Sequence, residues 1–357
     1  MIKKECFTAE WIEQVSSELH YNDKNLIEKV IRALSLLEML VKAGCPLVFK
    51  GGTALMLILG KSAHRLSIDI DLICPPGTNI EDYLKSFADF GFINLELVER
   101  KQRDDADIPK SHSKFFYQIA YRNDTDAQSY ILLDVLYEDI HYFRTQQIAI
   151  NCPFIRLEGK PLMVTVPSAE DILGDKLTAF APNTTGIPNY KNGRSCSMEI
   201  AKQLYDVGRL FENVSDLQIT KEAFRKIAVV ELSYRSFGTD IGQVFNDIRQ
   251  TALCISTRGK AGEGDFDLIQ DGIIRVKSFM YKQRYLIDHA IIDAARAAYL
   301  ATLIEKGINE IESYSNNPAD IKDMVIRPSL PNKLNKLRSN LPEAYYYWAK
   351  TSELLEA

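Results

Sequence analysis

In Lys50-Gly51-Gly52-Thr53-Ala54-Leu55 a glycine turn precedes a helix start, and Arg65-Leu66-Ser67-Ile68-Asp69-Ile70-Asp71-Leu72 then places two carboxylates in an apolar run. Because residues i and i+2 of a strand point to the same side, Asp69 and Asp71 are expected to share one face. Two carboxylates held side by side repel each other unless a cation or a proton lies between them. Hard oxygen ligands of this kind suit Mg²⁺, usually together with substrate phosphates. The two stretches therefore predict a site for Mg²⁺ and a phosphate group.

The glycine turn is the first candidate for phosphate binding. Gly51 and Gly52 let the backbone approach a ligand closely, and the helix that follows offers N–H groups to an anion. The Thr53 hydroxyl is expected to add a hydrogen bond to a phosphate oxygen. A plain strand-to-helix turn is the alternative, because short glycine motifs are frequent by chance.

A third carboxylate, Asp134, lies in the apolar run Tyr130–Leu136, which predicts a central strand. If that strand neighbours the Asp69–Asp71 strand, three carboxylates converge and can hold Mg²⁺ for a phosphoryl displacement. Asp134 is then also a candidate general base. The alternatives are a solvated edge strand or an ion pair with Arg65 for the first two carboxylates. For Asp134 the alternative is a pair with a buried lysine or arginine.

The second half of the chain adds charged candidates on predicted helices. Lys176 lies on the first of them, and Lys202 and Asp206 are four residues apart on one face of another. Lysine acts as a point charge on phosphates, and Asp206 is a candidate to orient Lys176 or a base. The alternative is a solvated helix with an ordinary ion pair.

The periodicity along the chain predicts two domains. Residues 1–165 alternate helices and strands, which indicates a small mixed sheet with helices against it. Residues 166–357 are mainly helical, with a long mobile loop expected at Pro182–Ser197 and the longest helix at Ile273–Lys306. A shorter helix is expected at Asn79–Phe90 and a charged loop at 100–113.

Composition limits the classes of protein to which the chain can belong. The chain has 357 residues, 46% hydrophobic and 25% charged residues, and a net charge of −5, which argues against a surface that is basic throughout. No apolar run is long enough to span a membrane, and the N-terminus lacks the apolar stretch of a signal peptide. Six scattered cysteines favour reduced thiols over disulfides or a zinc site. A cytoplasmic protein is therefore expected.

These motifs together resemble the nucleotidyltransferase superfamily, which combines a glycine turn, Asp-x-Asp on a strand and a further Asp on a later strand. More narrowly, they resemble the AbiEii/AbiGii toxin family of type IV toxin–antitoxin and abortive-infection systems, to which the MenT toxins are related. The resemblance extends to the segments around Lys176 and Asp206 and covers about residues 25 to 212. It implies an α/β (α+β) nucleotidyltransferase-like domain with a small mixed sheet, followed by a mainly α-helical domain that completes the active-site cleft.

The resemblance also implies roles for individual residues. Nucleotide binding is expected of Gly51, Gly52, Thr53, Arg65, Ser67, Lys176 and Lys202. Mg²⁺ is expected at Asp69, Asp71 and Asp134, and catalysis is expected to involve Asp69, Asp71, Asp134, Lys176 and Asp206.

The expected reaction is Mg²⁺-dependent transfer of a nucleoside monophosphate from an NTP to an acceptor, with tRNA as the first candidate. The expected biological role is that of a toxin or phage-defence effector with a cognate antitoxin. Two alternatives stay open at this stage. One is a non-catalytic nucleotide- or protein-binding module of the same fold, and the other is a nucleotidyltransferase that acts on a small molecule.

Overall fold

The computed structural model describes residues 1–98, 110–122, 127–214, 216–235, 238 and 240–357. They form two compact units. The first unit combines Met1–Ser168 with a returning segment, Ser278–Arg284, and the second combines Ala169–Lys277 with Tyr285–Ala357. The sequence placed a boundary after residue 165 and did not anticipate the returning segment.

The described residues of the first unit include three α-helices and seven strands. The helices are α1 (Ala9–Glu18), α2 (Lys24–Lys42) and α3 (Gly51–Leu59). The strands are β1 (Val48–Lys50), β2 (Ile70–Cys74), β3 (Asn94–Val98), β4 (Lys110–Gln118), β5 (Gln128–Tyr137), β6 (Thr145–Ala149) and β7 (Met163–Pro167). The predicted loop at 100–113 overlaps β4 at its last four residues, and the rest of it lies outside the described residues.

A five-stranded mixed sheet organises this unit, in the order β1-β2-β5-β4-β3. Strand β2 pairs antiparallel with β1 and parallel with β5, while β4 is antiparallel to both β5 and β3. Burial alternates along β5: Ile131, Leu133 and Val135 are buried in the core, whereas the residues between them are more exposed. One sheet face therefore lies in the core and the other carries the polar residues.

Helix α2 supplies much of the core of the first unit. The Asp23 side chain caps it by accepting a hydrogen bond from the Leu26 N–H at 3.0 Å. Apolar residues at helical spacing are buried along nearly its whole length. The helix predicted at Asn79–Phe90 is instead two short 3₁₀ turns, Ile80–Tyr83 and Phe87–Phe90, since so short a segment has little helical stability of its own.

The returning segment holds the chain just before β2. The Leu66 N–H donates to the Phe279 carbonyl at 2.8 Å, and the Tyr281 N–H donates to the His64 carbonyl at 3.0 Å. Arg65 and Met280 form a β-bridge between these two bonds. These backbone bonds are incompatible with a continuous helix, so the helix predicted at 273–306 is interrupted at this segment.

The second unit is mainly helical. Its elements are α4 (Ala169–Ala179), β8 (Tyr190–Lys191), β9 (Arg194–Ser195), α5 (Ser197–Phe211), α6 (Leu217–Tyr234), α7 (Ile241–Ser256), α8 (Phe266–Val276), α9 (Ile287–Lys306), α10 (Leu337–Asn340) and α11 (Pro342–Glu356). Helix α9 packs against α5, α7 and α11. The alanine-rich face of α9 is buried, which permits this close packing. No helix among the described residues is both long and apolar enough to cross a membrane.

The segment after α4 is better anchored than the sequence suggested. The Asp247 carboxylate accepts hydrogen bonds from the Asn183 N–H at 2.9 Å and from the Thr184 hydroxyl at 2.8 Å. Strands β8 and β9 then form a short hairpin inside the predicted loop. The predicted fold class, a small mixed α/β sheet followed by a helical part, is confirmed.

Candidate active site

Two carboxylates occupy matching positions on the central strands of the sheet. Asp71 of β2 and Asp134 of β5 are register partners in the parallel pair. Adjacent strands lie about 4.8 Å apart, and register partners point to the same face. Asp69 directly precedes β2 and is exposed, whereas Asp71 and Asp134 are half-buried. The structure therefore places Asp71 and Asp134 side by side on the polar face of the sheet, with Asp69 next to them along the chain.

The glycine turn packs directly on this carboxylate strand. Gly51 has φ +78°, and a Cβ at this position would lie 2.1 Å from Oδ2 of Asp71. A Cβ on Gly52 would lie 2.7 Å from the Ser67 Oγ and 2.9 Å from an Arg65 guanidinium nitrogen. Any side chain on either glycine would displace these groups, so only glycine lets the turn approach the Asp71, Ser67 and Arg65 side chains this closely. The predicted residues Gly51, Gly52, Arg65, Ser67 and Asp71 are thus brought together.

Thr53 has a different partner from the one expected from the sequence. Its side chain is buried, and its hydroxyl donates to the backbone carbonyl of Asp69 at 2.7 Å. The bond ties α3 to the residue that carries the first carboxylate. The predicted hydrogen bond from this hydroxyl to a phosphate oxygen does not fit, because the hydroxyl donates to the Asp69 carbonyl instead. The Thr53 backbone N–H, in the first turn of α3, is still of the kind that can bind an anion.

His112 is a site residue that the sequence did not single out. It lies on β4 opposite Asp134, and its Nδ1 forms a hydrogen bond with Oδ1 of that carboxylate. The His112 side chain is buried, while 31% of the Asp134 side chain is exposed. The alternative weighed for Asp134, a buried lysine or arginine partner, is wrong because the partner is a histidine. Only the register of β4 against β5 reveals this pair.

A lysine approaches the first carboxylate from α2. Burial lowers the pKa of Lys29, and the negative charges of Asp69 and Asp23 oppose that shift. Its ammonium also lies 5.6 Å from the centroid of the Tyr130 ring. No sequence pattern points to Lys29, because its place depends on how α2 packs against the sheet.

The second unit contains the other predicted charges. Lys176 of α4 forms an ion pair with Asp206 of α5 at 3.0 Å and donates to the Gln203 side-chain oxygen at 2.9 Å. The exposed fractions of the two ionic side chains are 8% and 2%. The alternative of a solvated helix is therefore wrong for these two residues. Lys202 lies one turn before Asp206 on α5.

A second buried charge cluster begins three residues after Asp206 on α5, at Arg209. Asp293 of α9 forms ion pairs with Arg209 at 3.6 Å and with Arg296 at 3.3 Å. Burial raises the pKa of Asp293 to about 6, and the two arginines act against this rise. Gly208 is what permits the approach of the helices, since a Cβ there would lie 2.0 Å from Oδ1 of Asp293.

The donor set on the sheet suits a hard divalent cation. In the described parts of the chain, no group of three or more His, Cys, Asp or Glu side chains is preassembled to hold a metal. Mg²⁺ is usually bound through one or two carboxylates together with waters and substrate phosphates. The Asp71–Asp134 pair with Asp69 beside it fits that mode of binding, with the turn at Gly51 and Gly52 adjacent for a phosphate.

Comparisons with known proteins agree with the predicted resemblance. Residues 34–319 match the model of a family described as "Nucleotidyl transferase AbiEii toxin, Type IV TA system". No match was found among curated proteins.

Three solved structures are similar over most of the chain. JHP933 from Helicobacter pylori has 15% identity and a TM-score of 0.40, with 86% of this chain and 95% of that chain covered. A second H. pylori structure, titled a putative nucleotidyltransferase, has 17% identity, a TM-score of 0.38 and coverages of 80% and 95%. MenT4, nucleotidyltransferase toxin Rv2826c from Mycobacterium tuberculosis H37Rv, has 12% identity, a TM-score of 0.43 and coverages of 95% and 98%. Similarity at this level carries no argument about individual residues.

Proposed function

The chain belongs to the AbiEii family of nucleotidyl transferase toxins of type IV toxin–antitoxin systems, and on that premise we propose a Mg²⁺-dependent transfer of a nucleoside monophosphate from an NTP to RNA. The chain is a nucleotidyltransferase, and the metal, the acceptor and the site residues are the parts that we propose. The observation that supports them most directly is the register of Asp71 against Asp134 with the Gly51 turn packed on Asp71.

Each site residue on the sheet has a definite task in this proposal. Asp71, Asp134 and Asp69 would hold Mg²⁺, which when bound neutralises the charge that develops on the phosphates. The backbone N–H groups after Gly51 and Gly52 would bind phosphate oxygens at the start of α3. Most of the rate enhancement would come from positioning and from charge stabilisation by fixed groups.

Asp134 is our candidate for the general base. The acceptor oxygen attacks the α-phosphorus, its proton passes to the Asp134 carboxylate, and the bond to the β-phosphate oxygen breaks to release pyrophosphate. The hydrogen bond between His112 Nδ1 and Oδ1 of Asp134 orients this carboxylate.

Lys176 and Asp206 are proposed to act as a unit. The carboxylate of Asp206 and the side-chain oxygen of Gln203 orient the Lys176 ammonium, and we assign that ammonium a contact with the triphosphate. Lys202 is proposed as a second cationic contact to the nucleotide. Substitution of each residue tests these roles one at a time.

The acceptor and the biological setting complete the proposal. A tRNA is the acceptor that we propose, and the family implies an antitoxin encoded with the toxin. We expect the protein to act in the cytoplasm. A small-molecule acceptor is the competing possibility, which predicts transfer that does not depend on RNA.

The decisive experiment follows label from each of the four NTPs. The protein is incubated with α-labelled NTP and total tRNA, with Mg²⁺ or with EDTA, and labelled RNA and pyrophosphate are measured. We expect label on RNA from at least one NTP, only with Mg²⁺, and none with Asp69→Ala. Asp89→Ala is the matched control, because this carboxylate is also exposed but lies outside the sheet. Absence of labelled RNA with all four NTPs would refute the proposal, and full transfer by Asp69→Ala would refute the carboxylate mechanism.

A further inference from the structure

The polar face of the sheet continues from the carboxylates to an aromatic surface. Tyr130 and Asp134 lie four residues apart on β5 and share one face. On β4, Phe116 is the register partner of Tyr130, and Lys114 is the register partner of Leu132. Register partners point to the same side, so two aromatic rings and a lysine extend the carboxylate face along these strands.

Tyr130 is the centre of this surface. Its relative exposure is 43%, and its ring centroid lies 5.8 Å from that of Phe116. Two ammonium groups lie close to the same ring, that of Lys29 at 5.6 Å and that of Lys114 at 5.5 Å from the centroid. An exposed ring with two ammonium groups within 6 Å of its centroid combines the two features that bind single-stranded nucleic acids, a surface for base stacking and cations for phosphate contacts.

Each of the two lysines also interacts with acidic side chains. Lys114 also pairs with Glu96 at 3.4 Å, but half of the Glu96 side chain is exposed. An exposed ion pair of this kind contributes little, so a phosphate oxygen can replace it at small cost. For Lys29, burial lowers the pKa of the ammonium, and the negative charges of Asp69 and Asp23 act against this shift.

We propose that Tyr130, Phe116, Lys29 and Lys114 bind the single-stranded end of the polynucleotide acceptor. The inference rests on the proposed function, since it names where the acceptor strand lies. Tyr130 is about 13 Å along β5 from Asp134, taking about 3.3 Å per residue. At that distance, Tyr130 is better placed to stack on an acceptor base that is set back from the reacting end than to contact the NTP, which binds beside the carboxylates. Stacking on Tyr130 would be tolerant of sequence, because every base has a π-face.

The test measures binding without catalysis. The full chain is titrated, in the absence of NTP, into a short fluorescently labelled single-stranded oligoribonucleotide, and anisotropy gives Kd at several salt concentrations. Tyr130→Ala is expected to weaken binding ~5- to 150-fold, as expected for loss of one stacked base, while Tyr130→Phe retains wild-type affinity. Phe143→Ala is the matched control, because Phe143 is an exposed ring of the same unit outside β4 and β5, and its Kd is expected to be unchanged.

The two lysine substitutions are distinguished from Tyr130→Ala by their effect on the salt dependence of binding. Lys29→Gln and Lys114→Gln are each expected to reduce the magnitude of the negative slope of log K against log salt by about 0.7, the value for loss of one phosphate contact with a single strand. Tyr130→Ala is expected to leave that slope unchanged. Thermal melting checks that each variant is folded.

The outcomes separate this inference from the proposed function. Wild-type affinity in Tyr130→Ala, no oligoribonucleotide binding by the wild type, or a loss of NTP affinity in place of RNA affinity would overturn the inference. Tyr130-dependent RNA binding without label transfer would support the surface and count against the reaction. Label transfer to RNA with Tyr130-independent binding would support the reaction and overturn the surface.

Discussion

Gly51→Ala is the sharpest probe of the carboxylate site. Gly51 has φ +78°, a conformation that is about 1–2 kcal/mol unfavourable for a residue with a Cβ. The new methyl carbon would also lie 2.1 Å from Oδ2 of Asp71, which is closer than atoms can approach. Asp71 must therefore move, and a misplacement of about 1 Å in an active site lowers rate about 100-fold. We expect a modest loss of stability and a loss of nucleotidyl transfer of at least about 100-fold.

Gly44→Ala provides the matched control. Gly44 has φ +76°, nearly the same backbone conformation, but nothing lies within 4 Å of the Cβ that would be added. Both variants should lose about 1–2 kcal/mol in urea unfolding, and only Gly51→Ala should lose transfer in the label assay. Equal transfer by the two variants would refute the claim that the turn positions Asp71.

Three further predictions concern residues whose partners the structure defines. Lys176→Met leaves the buried Asp206 carboxylate without its ammonium partner and should destabilise the protein by about 3–5 kcal/mol. The double variant Lys176→Met/Asp206→Leu should regain most of that stability. Equal urea midpoints for the single and double variants would contradict this prediction. His112→Gln should lower transfer about 10- to 100-fold with unchanged NTP affinity, because Asp134 loses its orienting partner; a change in NTP affinity alone would argue for a binding role. The pKa of Asp293 rises from 3.8 unfolded to about 6 folded, so the folded state binds the extra proton and stability falls as pH rises across this range. Wild type should therefore lose roughly 2.4 kcal/mol more than Asp293→Asn between pH 4 and pH 7, and parallel stability curves would refute the assignment.

The Lys176 prediction also bears on how activity data are interpreted. Lys176 and Asp206 are both buried, so a variant that removes only the ammonium is expected to be destabilised as well as altered in its chemistry. Loss of transfer in Lys176→Ala therefore identifies a catalytic role only if the variant is shown to be folded. The double variant supplies that comparison for the pair as a unit, because it lacks both charges but is expected to retain most of the stability.

Local pattern by itself determined the elements around the glycine turn and the carboxylates. The alternation of Asp69 and Asp71 with apolar residues, the glycine turn at 51–52 and the capped helix after Asp23 all depend on neighbours within a few residues. The same local reasoning predicted an apolar strand around Asp134. Strand and helix periodicity are properties of a single segment, so these features did not need the rest of the fold.

Tertiary structure decided which of these residues meet. The pairing of Asp71 with Asp134, and of Asp134 with His112, depends on strand order and register between segments that are far apart in the sequence. The Lys176–Asp206 pair depends on the packing of α4 against α5. Helical periodicity continued through the segment at 278–284, but backbone bonds to residues 64–66 took the place of helical bonds. Contacts of this kind are set by the free energy of the whole packed chain, which no local pattern encodes.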